Sequence, residues 1–268
     1  MITDLDKLSP DSTESAFINC DCMEAMRRFP DNYFDLAIVD PPYGDGGGTF
    51  ASGTRFGERF DRYKSGGGTA SRNTTSVHRQ RKNCRKPDGT WGYPNWGNMG
   101  GEIQKKIIAW DVAPEQEYFD ELFRISRDQI IWGGNYFNLP PTRCFLIWRK
   151  LTISESFSMA MAEYAWTSFN QNAKVFECAP QDNTGQRFHP TQKPLKLYEW
   201  IIKNYAKEGD VILDTHCGSA GSLVASYRAN HRFVGFEVDK EYYAKALDRL
   251  NAEMAQITIF DMMGESKR

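Results

Sequence analysis

Histidine is scarce in this chain, four residues in 268, and there is no HxxxH arrangement. The six cysteines (Cys20, Cys22, Cys84, Cys144, Cys178 and Cys217) form no CxxC pair. Cys20 and Cys22 stand one residue apart, tighter than the usual zinc-knuckle spacing. The reading is therefore no metal site and reduced, mostly buried thiols. No apolar run approaches the roughly 18 residues that suggest a membrane span, so no membrane partner is expected. The opening stretch MITDLDKLSPDSTES is polar and acidic, unlike a secretory signal, and the expected compartment is the cytoplasm. GxGxxG and the GK[ST] of a phosphate loop are also missing, which makes a pyrophosphate ligand less apt than an unphosphorylated nucleoside.

Charge is present but unevenly spread. Between Asp45 and Gly100 stand ten basic residues against four acidic ones, in a chain whose net charge is −2. A basic insert is thus set in an acidic body, an asymmetry that suits a polyanionic partner as well as a solvated loop. The insert is rich in Gly, Ser, Arg and Asn, follows neither helical nor strand periodicity, and reads as long, partly mobile loops. Its tryptophans, Trp91 and Trp96, suit base stacking or a structural role in a Gly-rich loop.

Outside the insert the pattern alternates. FINC (17–20) reads as a buried strand, MEAMRRF (23–29) as a helix, and YFDLAIVD (33–40) as an apolar strand of the doubly covered, parallel kind. PEQEYFDELFRIS reads as a helix with Pro114 in its first turn. DQIIWGG and CFLIWRK are expected strands, and MAMAEYAWTSF is left open. PLKLYEWIIKNYA is an amphipathic helix. Then come strand DVILD, helix SLVASYRAN, strand RFVGFEVD and a final helix KEYYAKALDRLNAEM. Strands alternating with helices predict an α/β fold, a mostly parallel sheet with helices on both faces. A single catalytic domain over residues 1–268 is expected, carrying the insert 45–100.

Two strand ends carry chemistry. The first runs into DPPYG: Asp40, Pro41, Pro42, Tyr43, Gly44. Both prolines fix φ and lack an N–H, so they stiffen a turn that presents one carboxylate, one carbonyl and one phenol ring. The second, VILDTHCGSAGS, ends at Asp214 and opens a helix through Gly218 and Gly221, where small residues let backbone amides approach a ligand. The next strand ends in Glu237, 23 residues on, where an acid can accept both hydroxyls of a ribose. An ordinary turn, or the cofactor turn of an oxidoreductase, has similar features.

Together, DPPYG and DTHCGSAGS resemble the S-adenosylmethionine-dependent amino-methyltransferases of DNA. FHPTQKPLKLYEWII resembles the segment of that family flanking the methionine end of the cofactor, and INCDCMEAM the segment whose acid lies beside its adenine. The tetrad comes first and the cofactor turn about 170 residues later, the circularly permuted order of the β group, with a Rossmann-like methyltransferase sheet. The resemblance implies Asp40, Pro41, Pro42 and Tyr43 as the catalytic set. It implies Asp21, Cys22, Asp40, His189, Thr191, Lys193, Asp214, Cys217, Gly218, Ser219 and Glu237 around the cofactor. Asp21 serves equally as a cap for the helix after it, and His189 and Lys193 as loop anchors. His216 and Cys217 depart from the family's DPFxGSGT-like turn.

The implied activity is site-specific methylation of the adenine N6 amine in double-stranded DNA. Cytosine N4 is the alternative within the same chemistry, and a catalytically silent DNA-binding protein the alternative outside it. No Pro-Cys pair supplies the nucleophile of a cytosine-C5 enzyme. Arg55, Arg59, Arg79, Arg81, Lys82 and Arg85 are the expected DNA contacts, with a short recognition segment at 168–188. A second copy of the chain and a cognate restriction endonuclease complete the candidate partners.

Overall fold

The computed structural model describes residues 1–44, 111–154, 160–180 and 187–265, with side chains as far as residue 256. The insert's basic residues Arg55, Arg59, Arg79, Arg81, Lys82 and Arg85, with Trp91 and Trp96, lie outside the described residues. So do 181–186 of the segment 168–188. The chain divides into two compact units, Met1–Pro41 with Pro114–Arg268, and Pro42–Ala113.

The first unit is built on an eight-stranded sheet. Its strands are β1 (Ala16–Ile18), β2 (Phe34–Val39), β3 (Ser126–Trp132), β4 (Phe145–Lys150), β5 (Ala162–Thr167), β6 (Lys174–Cys178), β7 (Val211–Asp214) and β8 (Arg232–Phe236). Their order is β1-β8-β7-β2-β3-β5-β4-β6. Only β5 is antiparallel to its neighbours; every other pair is parallel. The α/β fold with a mostly parallel sheet is therefore as expected.

Helices α1 (Cys22–Met26), α2 (Gln116–Ile125), α3 (Leu195–Tyr205), α4 (Gly221–Arg228) and α5 (Lys240–Glu265) surround the sheet. Side-chain alternation sorts them onto two faces. Phe17, Leu36, Ile38, Ile130, Trp132, Ile212 and Phe233 pack with α3, α4 and α5. Ala37, Val39, Ile131, Leu213, Val234 and Phe236 pack with α1 and α2. In α3 the buried residues Tyr198, Ile201, Ile202 and Tyr205 follow the spacing of one helical stripe.

The differences from expectation are local. The first helix ends at Met26 rather than Phe29, because Arg28 and Phe29 donate to carbonyls three residues back and tighten the last turn. Pro114 lies outside α2, which opens at Gln116 after an extended Glu115. The sequence reading omitted β6, which lies within segment 168–188 and pairs with β4 at a sheet edge. The open stretch MAMAEYAWTSF contains β5.

In the second unit, Gly44 N donates to Asp111 Oδ1 at 3.0 Å. A Cβ on Gly44 would stand 2.8 Å from Ala113 Cβ, at a φ of +68°. The two segments flanking residues 45–110 therefore meet.

Connectivity places the site. From β7 the chain passes through α4 to β8 on one side, whereas β2 leads on through α2 to β3 on the other. The strand order reverses between β7 and β2, and ligands of open parallel sheets bind outside the carboxyl ends of the strands at such a switch point. Asp214 ends β7 and Asp40 follows β2 directly.

Candidate active site

Asp40 accepts a hydrogen bond from Lys193 Nζ. Lys193, from the loop before α3, is only 4% exposed, and its ammonium also lies 3.2 Å from Glu163 Oε2 on β5. The other oxygen, Glu163 Oε1, is 2.5 Å from Lys150 Nζ at the end of β4. The ring of Trp132 lies under the Lys193 ammonium, 5.2 Å to its centroid. Burial opposes the charge on Lys193, but Asp40 and Glu163 outweigh it and hold its pKa above the usual lysine range. Burial also works against the Glu163 carboxylate, and the two lysines overcome it, so its pKa is lowered. Pro41 is buried. The unit boundary falls directly after it, and Pro42 and Tyr43 belong to the second unit.

The turn after β7 is held from several sides. The buried Asp214 carboxylate accepts from Ser222 Oγ and from His216 N, the latter at 3.0 Å. Cys217 Sγ donates to Asp214 O at 3.3 Å and is buried. Gly218 has a φ of +51°, and a Cβ there would lie 3.1 Å from the His189 ring. This position suits glycine twice over, by conformation and by the close approach. Gly218 N donates to Glu237 Oε2 at 2.7 Å, and Asp239 N to Glu237 Oε1 at 2.9 Å. Ser219 is buried, and its carbonyl accepts from Arg249 Nη1 at 2.9 Å. Thr191 Oγ1 lies 3.2 Å from His189 Nδ1.

The structure thus brings His189, Thr191, Cys217, Gly218, Ser219, Asp214 and Glu237 together around one turn, and joins Lys193 to Asp40. Tyr198 on α3 links the two groups. A Cβ on Gly221 would touch its ring at 2.8 Å, and its phenol is pushed well up by burial and by Asp40, Asp214 and Glu163 around it. Asp21 is the N-cap of α1, accepting from Met23 N at 2.8 Å, and Cys22 is that helix's first residue. Sequence reasoning missed Glu163, Lys150, Arg249 and Asn19, whose Nδ2 donates to Glu237 O at 2.7 Å. A charged residue in the mostly apolar stretch AEYAWT was the available signal for Glu163.

Tyr118 on α2 packs against the turn, where it meets Thr215 and His216. Tyr118 OH lies 2.6 Å from Thr215 Oγ1, which is 2.9 Å from His216 Nδ1. Burial lowers the His216 pKa to about 4, so the ring is neutral near pH 7. Among the described residues no group of three or more His, Cys, Asp or Glu is arranged to hold a metal, and no helix is long and apolar enough to cross a membrane.

A mostly parallel sheet whose switch point brings a strand-end carboxylate beside a glycine turn has the architecture of enzymes that bind a nucleoside cofactor. Residues 71–248 match the DNA methylase family, to which the chain belongs. Its members methylate exocyclic amines of DNA, N6 of adenine or N4 of cytosine, and depend on S-adenosylmethionine. The chain is 24% identical over 247 residues to YubD of Escherichia coli (strain K12), a methylase by name, covering 89% of this chain and 91% of that one. Over 65 residues it is 49% identical to the type II methyltransferase M2.DpnII of Streptococcus pneumoniae, 24% of each chain. Among solved structures, the PvuII DNA methyltransferase (cytosine-N4-specific) aligns with a TM-score of 0.48 at 12% identity, covering 92% of this chain and 93% of that one.

The residues fit this cofactor on their own chemistry. Burial raises the Asp214 pKa to about 7, with Asp40 and Glu237 adding to the rise. A buried carboxyl whose charged form is disfavoured in this way gains from a ligand that brings positive charge, and a sulfonium does so.

The same shift has a consequence for stability. An Asp titrates near 3.9 when unfolded, so the folded state holds its proton more tightly. The resulting stabilisation is complete below about pH 4 and is lost as pH rises through about 7, up to about 4 kcal/mol. Asp214→Asn should flatten this part of the profile. Thermal unfolding of the cofactor-free protein from pH 4.5 to 8 measures it; an unchanged slope in the variant would remove Asp214 as its source.

Proposed function

We propose that this protein methylates the N6 amine of an adenine flipped out of double-stranded DNA. The observation that carries the reading is Asp40, held by Lys193 at the strand end beside the turn that Asp214 opens. The lone pair of an adenine amine is delocalised into the ring, so the amine is a poor nucleophile. Asp40 and the Pro41 carbonyl act as two acceptors that draw the NH2 toward tetrahedral geometry and free that lone pair. The prolines stiffen the carbonyl's aim, which matters because a misplacement of about 1 Å can cost about a hundredfold.

Flipping the base costs a few kcal/mol, and stacking on Tyr43 returns about 1–3 kcal/mol. S-adenosylmethionine supplies a methyl group on a sulfonium, leaving a neutral thioether. As the N–C bond formed and the C–S bond broke, positive charge would grow on the amine nitrogen. Asp40 offsets that charge and stands ready to take the proton the nitrogen sheds. Glu237 would accept from the cofactor ribose, and His189, Thr191 and Ser219 would help to hold the cofactor. DPPY rather than a serine-led tetrad supports adenine over cytosine.

Nucleoside mass spectrometry of plasmid DNA from cells expressing the chain tests this directly. N6-methyladenine is expected. N4-methylcytosine would move the reading to the other amine, and unmodified DNA would overturn it.

The basic insert is the proposed DNA contact, through phosphates rather than bases. Neutralising Arg79, Arg81, Lys82 and Arg85 together should weaken DNA binding and reduce the log–log salt slope by up to about 3.6, with cofactor affinity unchanged. Binding measured across a salt series decides it, since a slope equal to that of the wild type would leave the insert without this role.

A further inference from the structure

We propose that Glu163 is a positioning residue for the methyl transfer, acting through Lys193 on Asp40 and keeping net positive charge from the reacting centre; this rests on the methyltransferase reading above. Three features of the Lys193 cradle carry it. A lysine ammonium sits on a flexible stem and has three rotatable donors, so one partner does not fix it. Here it meets Asp40, Glu163 Oε2 at 3.2 Å and the face of Trp132 at 5.2 Å. Held at three points, it commits one Asp40 oxygen, which fixes the plane of the carboxylate that faces the target amine. Glu163 is fixed in turn by Lys150, 2.5 Å away on the adjacent strand and only 7% exposed.

The second feature is charge. Asp40, Lys193, Glu163 and Lys150 form two carboxylates against two ammonium groups, neutral together. Loss of the Glu163 charge alone would leave a net +1 beside a sulfonium or an amine turning cationic. A single charge acting through partly buried surroundings is worth several-fold to more than tenfold in an equilibrium at such distances.

The third feature is placement. Glu163 acts on the same buried phenol, Tyr198, as Asp40 and Asp214 do. That phenol borders Gly221 of the turn, although nothing in the mechanism above assigns Glu163 a contact with either ligand.

The test compares wild type, E163Q and the double variant E163Q/K150M. Affinities for S-adenosylmethionine and for its neutral product S-adenosylhomocysteine are measured by calorimetry, and single-turnover transfer on plasmid DNA is measured beside them. E163Q should weaken the sulfonium cofactor about tenfold, leave the neutral product within about twofold, and slow transfer about 10- to 100-fold. In the double variant the preference for the cation should partly return, because a positive charge has left with the negative one. Transfer should stay slow, because Lys193 has still lost its second carboxylate. If E163Q does not fold, the charge-balanced double variant carries the test through its transfer rate.

An equal loss for both ligands would mark Glu163 as merely structural and overturn the proposal, as would an unchanged transfer rate. A wild-type protein that binds neither ligand and transfers nothing would instead overturn the methyltransferase reading beneath it.

Discussion

Asp40→Ala is expected to transfer no methyl group above background, a loss of at least about a thousandfold. The same protein should bind the neutral product as wild type does, and the sulfonium cofactor about tenfold more weakly, since one negative charge has gone. Truncation also leaves the Lys193 ammonium, 4% exposed, to its ion pair with Glu163. Breaking a buried pair in this way costs about 3–5 kcal/mol of stability. Asp40→Asn keeps a single carbonyl oxygen, which Lys193 and the amine must share, so it should melt higher than the alanine variant and show a trace of transfer. Single-turnover assays beside thermal melts separate the two effects. Rapid transfer by a folded Asp40→Ala protein would take Asp40 out of the chemistry.

Glu237→Ala should weaken S-adenosylmethionine by about 2–4 kcal/mol, read by calorimetry. The larger part expresses a double role. The carboxylate is the proposed acceptor for the ribose, and it already holds Gly218 N and Asp239 N. Removing it leaves two amides unsatisfied at the turn, each costing about 1–3 kcal/mol where buried. Glu237→Gln retains one acceptor oxygen and turns an NH2 toward the other amide, so it should fall between alanine and wild type. Equal affinity in all three proteins would dismiss Glu237 from the cofactor site.

These two residues show where sequence reading reached and where it stopped. FDLAIV and VILD announce themselves because parallel strands covered on both faces are continuous apolar runs, and each ends in an acid that begins a turn. Asp40, Asp214 and Glu237 were therefore legible as strand-end acids. Their partners were not. Lys193 stands 153 residues from Asp40, and no spacing rule joins residues that distant. That Glu237 spends both oxygens on the backbone of the turn is a matter of three dimensions. KVFEC escaped notice because an edge strand is half exposed and short, with Val175 60% exposed. The antiparallel sense of β5 has no sequence signature, since an alternating or buried strand reads alike in either direction. For Asp21 the cap of α1 is the role with a contact behind it.

The pairing of β2 with β7 carries a consequence for how this protein can change over generations. Leu36 lies opposite Ile212 and Ala37 opposite Leu213, so the backbone ladder fixes how far Asp40 stands beyond Asp214. A strand advances about 3.3 Å per residue and turns each successive side chain to the other face. Losing a single residue from β2 would therefore displace the tetrad by about 3.3 Å and reverse its facing, even if the sheet healed by sliding. Substitutions that preserve volume leave this ruler intact. The lineage of such a chain should accept many changes of letter in these two strands and almost no changes of length.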